Sequence, residues 1–139
     1  MTYTHISFFG LIFYQALTLI LLASYRSVKV FQKQIPKGGF APDGSGTTPF
    51  GQRIVRVHAN GYENIPFFLA VFLYSFYTGR ADQISNFAMI ILCSRIAQGL
   101  IHLYSTEFKF IMLRFSAFVI QILAILLCIA KLIEYVEIV

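Results

Sequence analysis

Arg53, Arg56, His58, Asn60 and Glu63 crowd the approach to an apolar run, Ile65 to Thr78, and a second polar set, Arg95, Gln98 and His102, interrupts another apolar stretch. Such groups grip small charged molecules: an Arg fork matches a carboxylate, a Glu takes an amino group, and Asn or Gln pairs with amide bonds. A small peptide-like zwitterion with more than one carboxylate would use all of them. A cationic lining also favours a thiolate over a thiol. Spacing joins the groups into stripes, because Arg53, Arg56, Asn60 and Glu63 are three, four and three residues apart, and Arg95, Gln98 and His102 three and four.

These residues need a membrane helix to hold them. A hydrocarbon core of about 30 Å takes roughly 20 helical residues. Ile65 to Thr78 supplies only about two-thirds of that, which draws Glu63 and Asn60 to membrane depth. Ionisable groups at that depth usually face a bundle interior and hold something. Composition agrees: the chain is 58% hydrophobic and 12% charged, with fifteen Phe and a mean hydropathy of +0.72. A soluble bundle would need more polar surface than this.

Three other apolar stretches can span, so the expected architecture is an all-α, four-transmembrane-helix bundle in one domain over 1–139. The spans are expected at about 6–29, 52–79, 82–104 and 109–136, with a loop at about 36–51 rich in Gly, Pro, Ser and Thr. That loop's GSG lacks the Lys-Ser/Thr ending of a phosphate-binding loop. The first span carries no signal-peptide pattern and is expected to stay in the mature protein. Arg26, Lys29, Lys33, Lys37, Arg53 and Arg56 flank the first connection against one acid, Asp43, which places it on the cytoplasmic side and both termini on the outer or lumenal side. The net charge of +5 is mostly this topology signal, and no nucleic-acid partner is expected.

Cys93 and Cys128 lie in apolar runs without CxxC spacing and read as core residues, and no metal site is expected. Counting back from the turns at about 1.5 Å per residue puts Glu63 level with Gln98, Asn60 with His102, and Arg114 with Gln98. Three helices then gather polar groups at one height, in the cytoplasmic half. The competing structural reading is an Arg95–Glu63 ion pair that fixes helix register. Pro66 either kinks the second span or begins it with Asn64 as cap, which would put Glu63 outside the hydrocarbon.

The string from Arg53 to Phe67, with Arg56, His58, Asn60 and Glu63 in place, resembles the second-helix signature of the membrane-associated proteins in eicosanoid and glutathione metabolism, the MAPEG family. Length, four spans, the cytoplasmic first loop and an Arg in the third helix extend the resemblance over the chain. It implies a homotrimer of four-helix protomers that binds glutathione at subunit interfaces. By position it implies that Arg56, Asn60 and Glu63 contact glutathione, with His58 at the family's His or Gln place, Arg53 near the entrance, and Arg95 as the third-helix Arg. Gln98 and His102 stand where an aromatic or His and then a Tyr are common, and Ala59 stands where some members have Arg. A later Arg that stabilises the glutathione thiolate corresponds to Arg114, with Lys109 as the alternative.

The function implied is a microsomal glutathione transferase-like enzyme, a transferase or peroxidase acting on lipophilic electrophiles or lipid hydroperoxides. The alternative is a catalytically silent membrane binding or scaffold protein of the same fold. A third reading is haem held between His58 and His102, whose depths nearly match.

Overall fold

The structure, a computed structural model, describes residues 2–134. Among them are four helices, α1 (Tyr3–Phe31), α2 (Pro49–Tyr77), α3 (Ser85–Tyr104) and α4 (Phe108–Ile133), and no strand. The expected fourth span ran to 136, and its last two residues lie outside the described region.

Helix ends follow local chemistry. Thr48 caps α2 by accepting from the Gly51 N–H at 3.1 Å, and Pro49 takes the first helical position, where its missing N–H costs nothing. This start lies three residues earlier than the expected 52. At the other end Gly79, at φ +67°, closes a Schellman motif in which Gly79 N–H donates to Phe76 O and Arg80 N–H to Ser75 O. Lys33, at φ 54°, closes α1 in the same way through Val30 O and Lys29 O.

The reading in which Pro66 begins the span with Asn64 as its cap is not met. The helix α2 runs unbroken through Pro66, and Asn64, rather than capping, donates its Nδ2 to the Asn60 carbonyl at 2.8 Å. At 29 residues α2 is about 43 Å long, so both its polar half and its apolar half belong to one rod.

The helices alternate up and down. Thr4 near the start of α1 donates to Ala81 O at 2.6 Å, and His5 stacks on Phe76 near the end of α2. Arg53 near the start of α2 donates from Nε to Leu103 O, at the end of α3, at 3.0 Å. The helix α4 packs chiefly on α3, while α1 packs on α2 and α3 and makes no contact with α4 among the described residues. The core joins all four: Leu11 of α1, Phe68 and Phe72 of α2, Ala88 and Ile91 of α3, and Ala124 and Cys128 of α4. Helical glycines let α1 come close, with the Tyr14 hydroxyl over Gly99 and the Gln15 amide over Gly61.

The protein is an integral membrane protein. α1, α3 and α4 are each long and apolar enough to cross a bilayer, with mean hydropathies of 2.1, 1.5 and 2.5, and their outward faces carry Phe13, Leu17, Leu100, Leu123 and similar side chains. The helix α2 does not meet that measure by composition because of its polar half, although it packs within the same bundle. Of the two thiols, Cys128 is buried as expected, whereas Cys93 is exposed on the outer face of α3, a correction to its reading as core.

The connection between α1 and α2 is tied down at several points. The Tyr25 hydroxyl meets Thr48 Oγ1 at 2.8 Å, Arg26 lies over the Phe40 ring, and Asp43 accepts from the Ser45 N–H at 2.9 Å. Hydrogen bonding from Ser45 holds the Asp43 carboxyl below the ordinary aspartate value. The bond therefore contributes above that value and is lost as pH falls through the lowered one. A Ser45 amide resonance followed by NMR in detergent is expected to titrate with a midpoint below that of free aspartate; a midpoint at or above it would show the bond absent.

Candidate functional site

Arg95 is the centre of the polar assembly. Its side chain is 1% exposed, its guanidinium lies 5.5 Å from the Phe68 ring centroid, and its Nη1 donates to Gln98 Oε1 at 3.1 Å and approaches Asn60 Oδ1 at 3.4 Å. Its Nε and Nη2 are buried without a partner among the described residues. Gln121 of α4 completes the group by donating Nε2 to Gln98 Oε1 at 3.2 Å. Buried polar groups at membrane depth are costly unless they are paired or serve a ligand.

In front of this assembly lies a cavity of about 340 Å³, lined by Asn60, Gln98, His102, Ile111, Arg114, Phe115 and Phe118. That size is at the low end of the ~300–1,000 Å³ of small-molecule sites. The chain therefore brings Asn60, Gln98, His102 and Arg114, from α2, α3 and α4, to one wall. His102 Nε2 and Arg114 Nε are both buried there without a partner among the described residues. An orphaned guanidinium donor and an orphaned imidazole nitrogen beside an open cavity fit an anionic, hydrogen-bonding ligand such as a carboxylate-bearing peptide.

Lys109 stands apart from that wall, largely exposed in the first turn of α4 and 3.5 Å from Glu107. Arg56 and Glu63 are exposed on the outer surface of the bundle, and the Arg95–Glu63 ion pair of the competing reading does not form among the described residues. Helix geometry gives the reason. A step of three residues leaves an offset of about 60°, while seven residues close to within about 20°. Arg53 and Asn60 thus share the face toward α3, and Arg56 and Glu63 share an adjacent stripe about 60° round the helix, where both are exposed. The expected single stripe is two stripes.

His58 is placed elsewhere again. Two residues before Asn60, it lies about 200° around the helix and faces α1. There Gln15 Nε2 meets His58 Nδ1 at 3.1 Å, and the Thr18 hydroxyl lies 3.2 Å from the same nitrogen. His102 instead lines the cavity, so the two histidines of the haem reading sit on different faces of the bundle. No group of His, Cys, Asp and Glu suited to a metal ion occurs among the described residues.

Sequence reasoning missed Gln121, Tyr14 and Gln15. A lone amide in the most apolar helix is a signal in its own right, since it needs a partner inside the bundle. Gln121 is fully buried and finds that partner in Gln98. Tyr14 and Gln15 give none from sequence, because their partners are the glycine gaps of α2 and α3.

Comparison with known proteins agrees with the architecture. The model of the MAPEG family matches residues 8–133, nearly the whole chain. No curated protein and no solved structure matches it.

Proposed function

The chain belongs to the MAPEG family, and we propose that it is a glutathione-binding membrane transferase whose co-substrate sits in the cavity walled by Asn60, Gln98, His102 and Arg114. The observation that carries this reading is the convergence on that cavity of buried polar atoms without a partner among the described residues: the Arg114 Nε donor and the His102 Nε2 ring nitrogen in the wall, with Arg95 behind it. Glutathione supplies two carboxylates and two peptide carbonyls to such donors.

Arg114 is the catalytic group. Its charge stabilises the glutathione thiolate once the thiol proton has passed to water, and electrostatic stabilisation of a developing anion is where a permanent cation acts best. The thiolate then bonds to an electrophilic carbon as the leaving group departs with the bond's electron pair. With a lipid hydroperoxide it attacks the outer oxygen, the alkoxide leaves and takes a proton, and a second glutathione converts the sulfenic acid to a disulfide and water. Lipophilic partners reach the site laterally, past Ile111, Phe115 and Phe118.

A homotrimer accounts for the outward stripe. In it Arg56 and Glu63 of one protomer meet a neighbour, so that the amino group and a carboxylate of glutathione are held across the interface. The site then opens to the cytoplasm, on the side of the basic loop between α1 and α2.

Ultraviolet titration of thiolate absorbance in detergent tests this reading. The bound thiol is expected to titrate below free glutathione; a midpoint equal to that of the free thiol overturns it. Gln98 and His102, standing where relatives commonly carry an aromatic or His and then a Tyr, favour as second reading a binding protein of the same fold without turnover. Conjugation of a chlorodinitrobenzene-type electrophile separates the two.

A further inference from the structure

The hydrogen bonds around Arg95 have a direction. A guanidinium nitrogen can only donate, so the Gln98 atom 3.1 Å from Nη1 must be the amide oxygen. Gln121 Nε2 donates to that same oxygen and to the Ala117 carbonyl at 3.1 Å, a group that only accepts, which settles its orientation too. On α2, Asn64 Nδ2 donates at 2.8 Å to the Asn60 backbone carbonyl and at 2.8 Å to Asn60 Oδ1, and Arg95 Nη1 approaches the same Oδ1. Both amide oxygens are therefore held by protein donors. The amide nitrogens are what Asn60 and Gln98 have left for the cavity they line. Among the described residues neither nitrogen has an acceptor.

We propose that Arg95, with Gln121 and Asn64, is a positioning device that fixes the polarity of two amides, so that both turn donors to the cavity they share with Arg114 and select the carboxylate end of its ligand. Arg95 does not line the cavity itself. Its effect reaches the ligand through Gln98 and Asn60, which line the same cavity as Arg114. Two amide donors and the Arg114 cation on one wall repel cations and leave neutral esters with fewer charge-assisted partners. Gln121, far along α4 from Arg114, joins the site through this orientation alone. That the carboxylate belongs to glutathione rests on the function proposed above; the polarity of the wall does not.

The substitution Gln98→Glu separates orientation from packing. One carboxylate oxygen keeps the bonds from Arg95 and Gln121 and gives Arg95 a counter-charge, while the other presents an acceptor to the cavity. The thermal midpoint in detergent is expected to hold or rise, and glutathione affinity to fall about tenfold or more. Gln121→Met, which removes one inward donor at similar volume, is expected to lower affinity about threefold. In wild-type protein labelled with ¹⁵N-glutamine, the Gln98 side-chain amide is expected to shift on titration with glutathione or glutarate and to stay put with glutathione dimethyl ester.

Wild-type affinity in Gln98→Glu, or an amide that moves with neither acid, overturns the proposal. A shift with glutarate but no binding of glutathione would remove the glutathione reading and leave the wall's polarity standing. Glutathione binding with an unmoved Gln98 amide would do the reverse. Should Gln98→Glu fail to fold, the wild-type amide titration decides.

Discussion

Arg114→Ala is expected to slow glutathione conjugation by about 100- to 1,000-fold, the range seen when one group that stabilises a developing anion is removed. The loss belongs in kcat more than in KM, because charge on sulfur is greatest once the proton has gone. Arg114 is suited to this by position: it lies in the second turn of α4, in the cavity wall, with Nε buried and without a partner among the described residues. Lys109, nearer the end of the helix and beside Glu107, is the matched control, and Lys109→Ala is expected to stay within about twofold of wild type. Steady-state assays of both variants, with thermal midpoints to confirm folding, make the comparison. If Lys109→Ala is the slow variant, the assignment moves to Lys109 and the depth argument is wrong.

The largest stability effect is expected at Phe72. Its side chain is 0% exposed, in the core that joins all four helices. In water Phe→Ala at such a site costs about 3–5 kcal/mol from lost transfer energy and an unfilled cavity. Within a bilayer the unfolded helices leave the ring in lipid, so the transfer part shrinks while the packing part stays. Phe72→Ala is therefore expected to cost about 2–3 kcal/mol in a mixed-micelle unfolding titration. Phe67 is the contrast: it is 71% exposed, and its replacement is expected to change stability by about 0.5 kcal/mol or less. Equal costs at the two positions would mean that α2 is rotated from the orientation described.

How much of this can be read from the chain depends on which physical quantity carries it. Depth along antiparallel helices follows from residue count alone, so the levelling of α2, α3 and α4 around Asn60, Gln98, His102 and Arg114 is legible before any coordinates. Rotation is less so. A 3-4-3 spacing looks like one stripe, yet each step of three is offset by about 60°, enough to leave Arg56 and Glu63 exposed beside the face that Arg53 and Asn60 turn to α3. His58 is hidden for the same reason, since its partner Gln15 lies in a helix whose angle to α2 no local pattern gives.

Boundaries set by side-chain capping are legible only when the cap is recognised. Thr48-Pro49 starts α2 inside what composition marks as loop, and Gly79 ends it where the apolar run ends. The fold class needs neither detail. Apolar stretches of spanning length and short turns after α2 and α3 suffice for a helical membrane bundle, and the family match over residues 8–133 agrees.

Isothermal titration calorimetry of glutathione into the detergent-purified protein, repeated with Glu63→Ala and Arg114→Ala, probes the proposed site most directly. Saturable binding by the wild type, weakened about tenfold or more in each variant, is the expected result. No binding heat in the wild type, or undiminished affinity in Arg114→Ala, would contradict a glutathione site walled by Asn60, Gln98, His102 and Arg114.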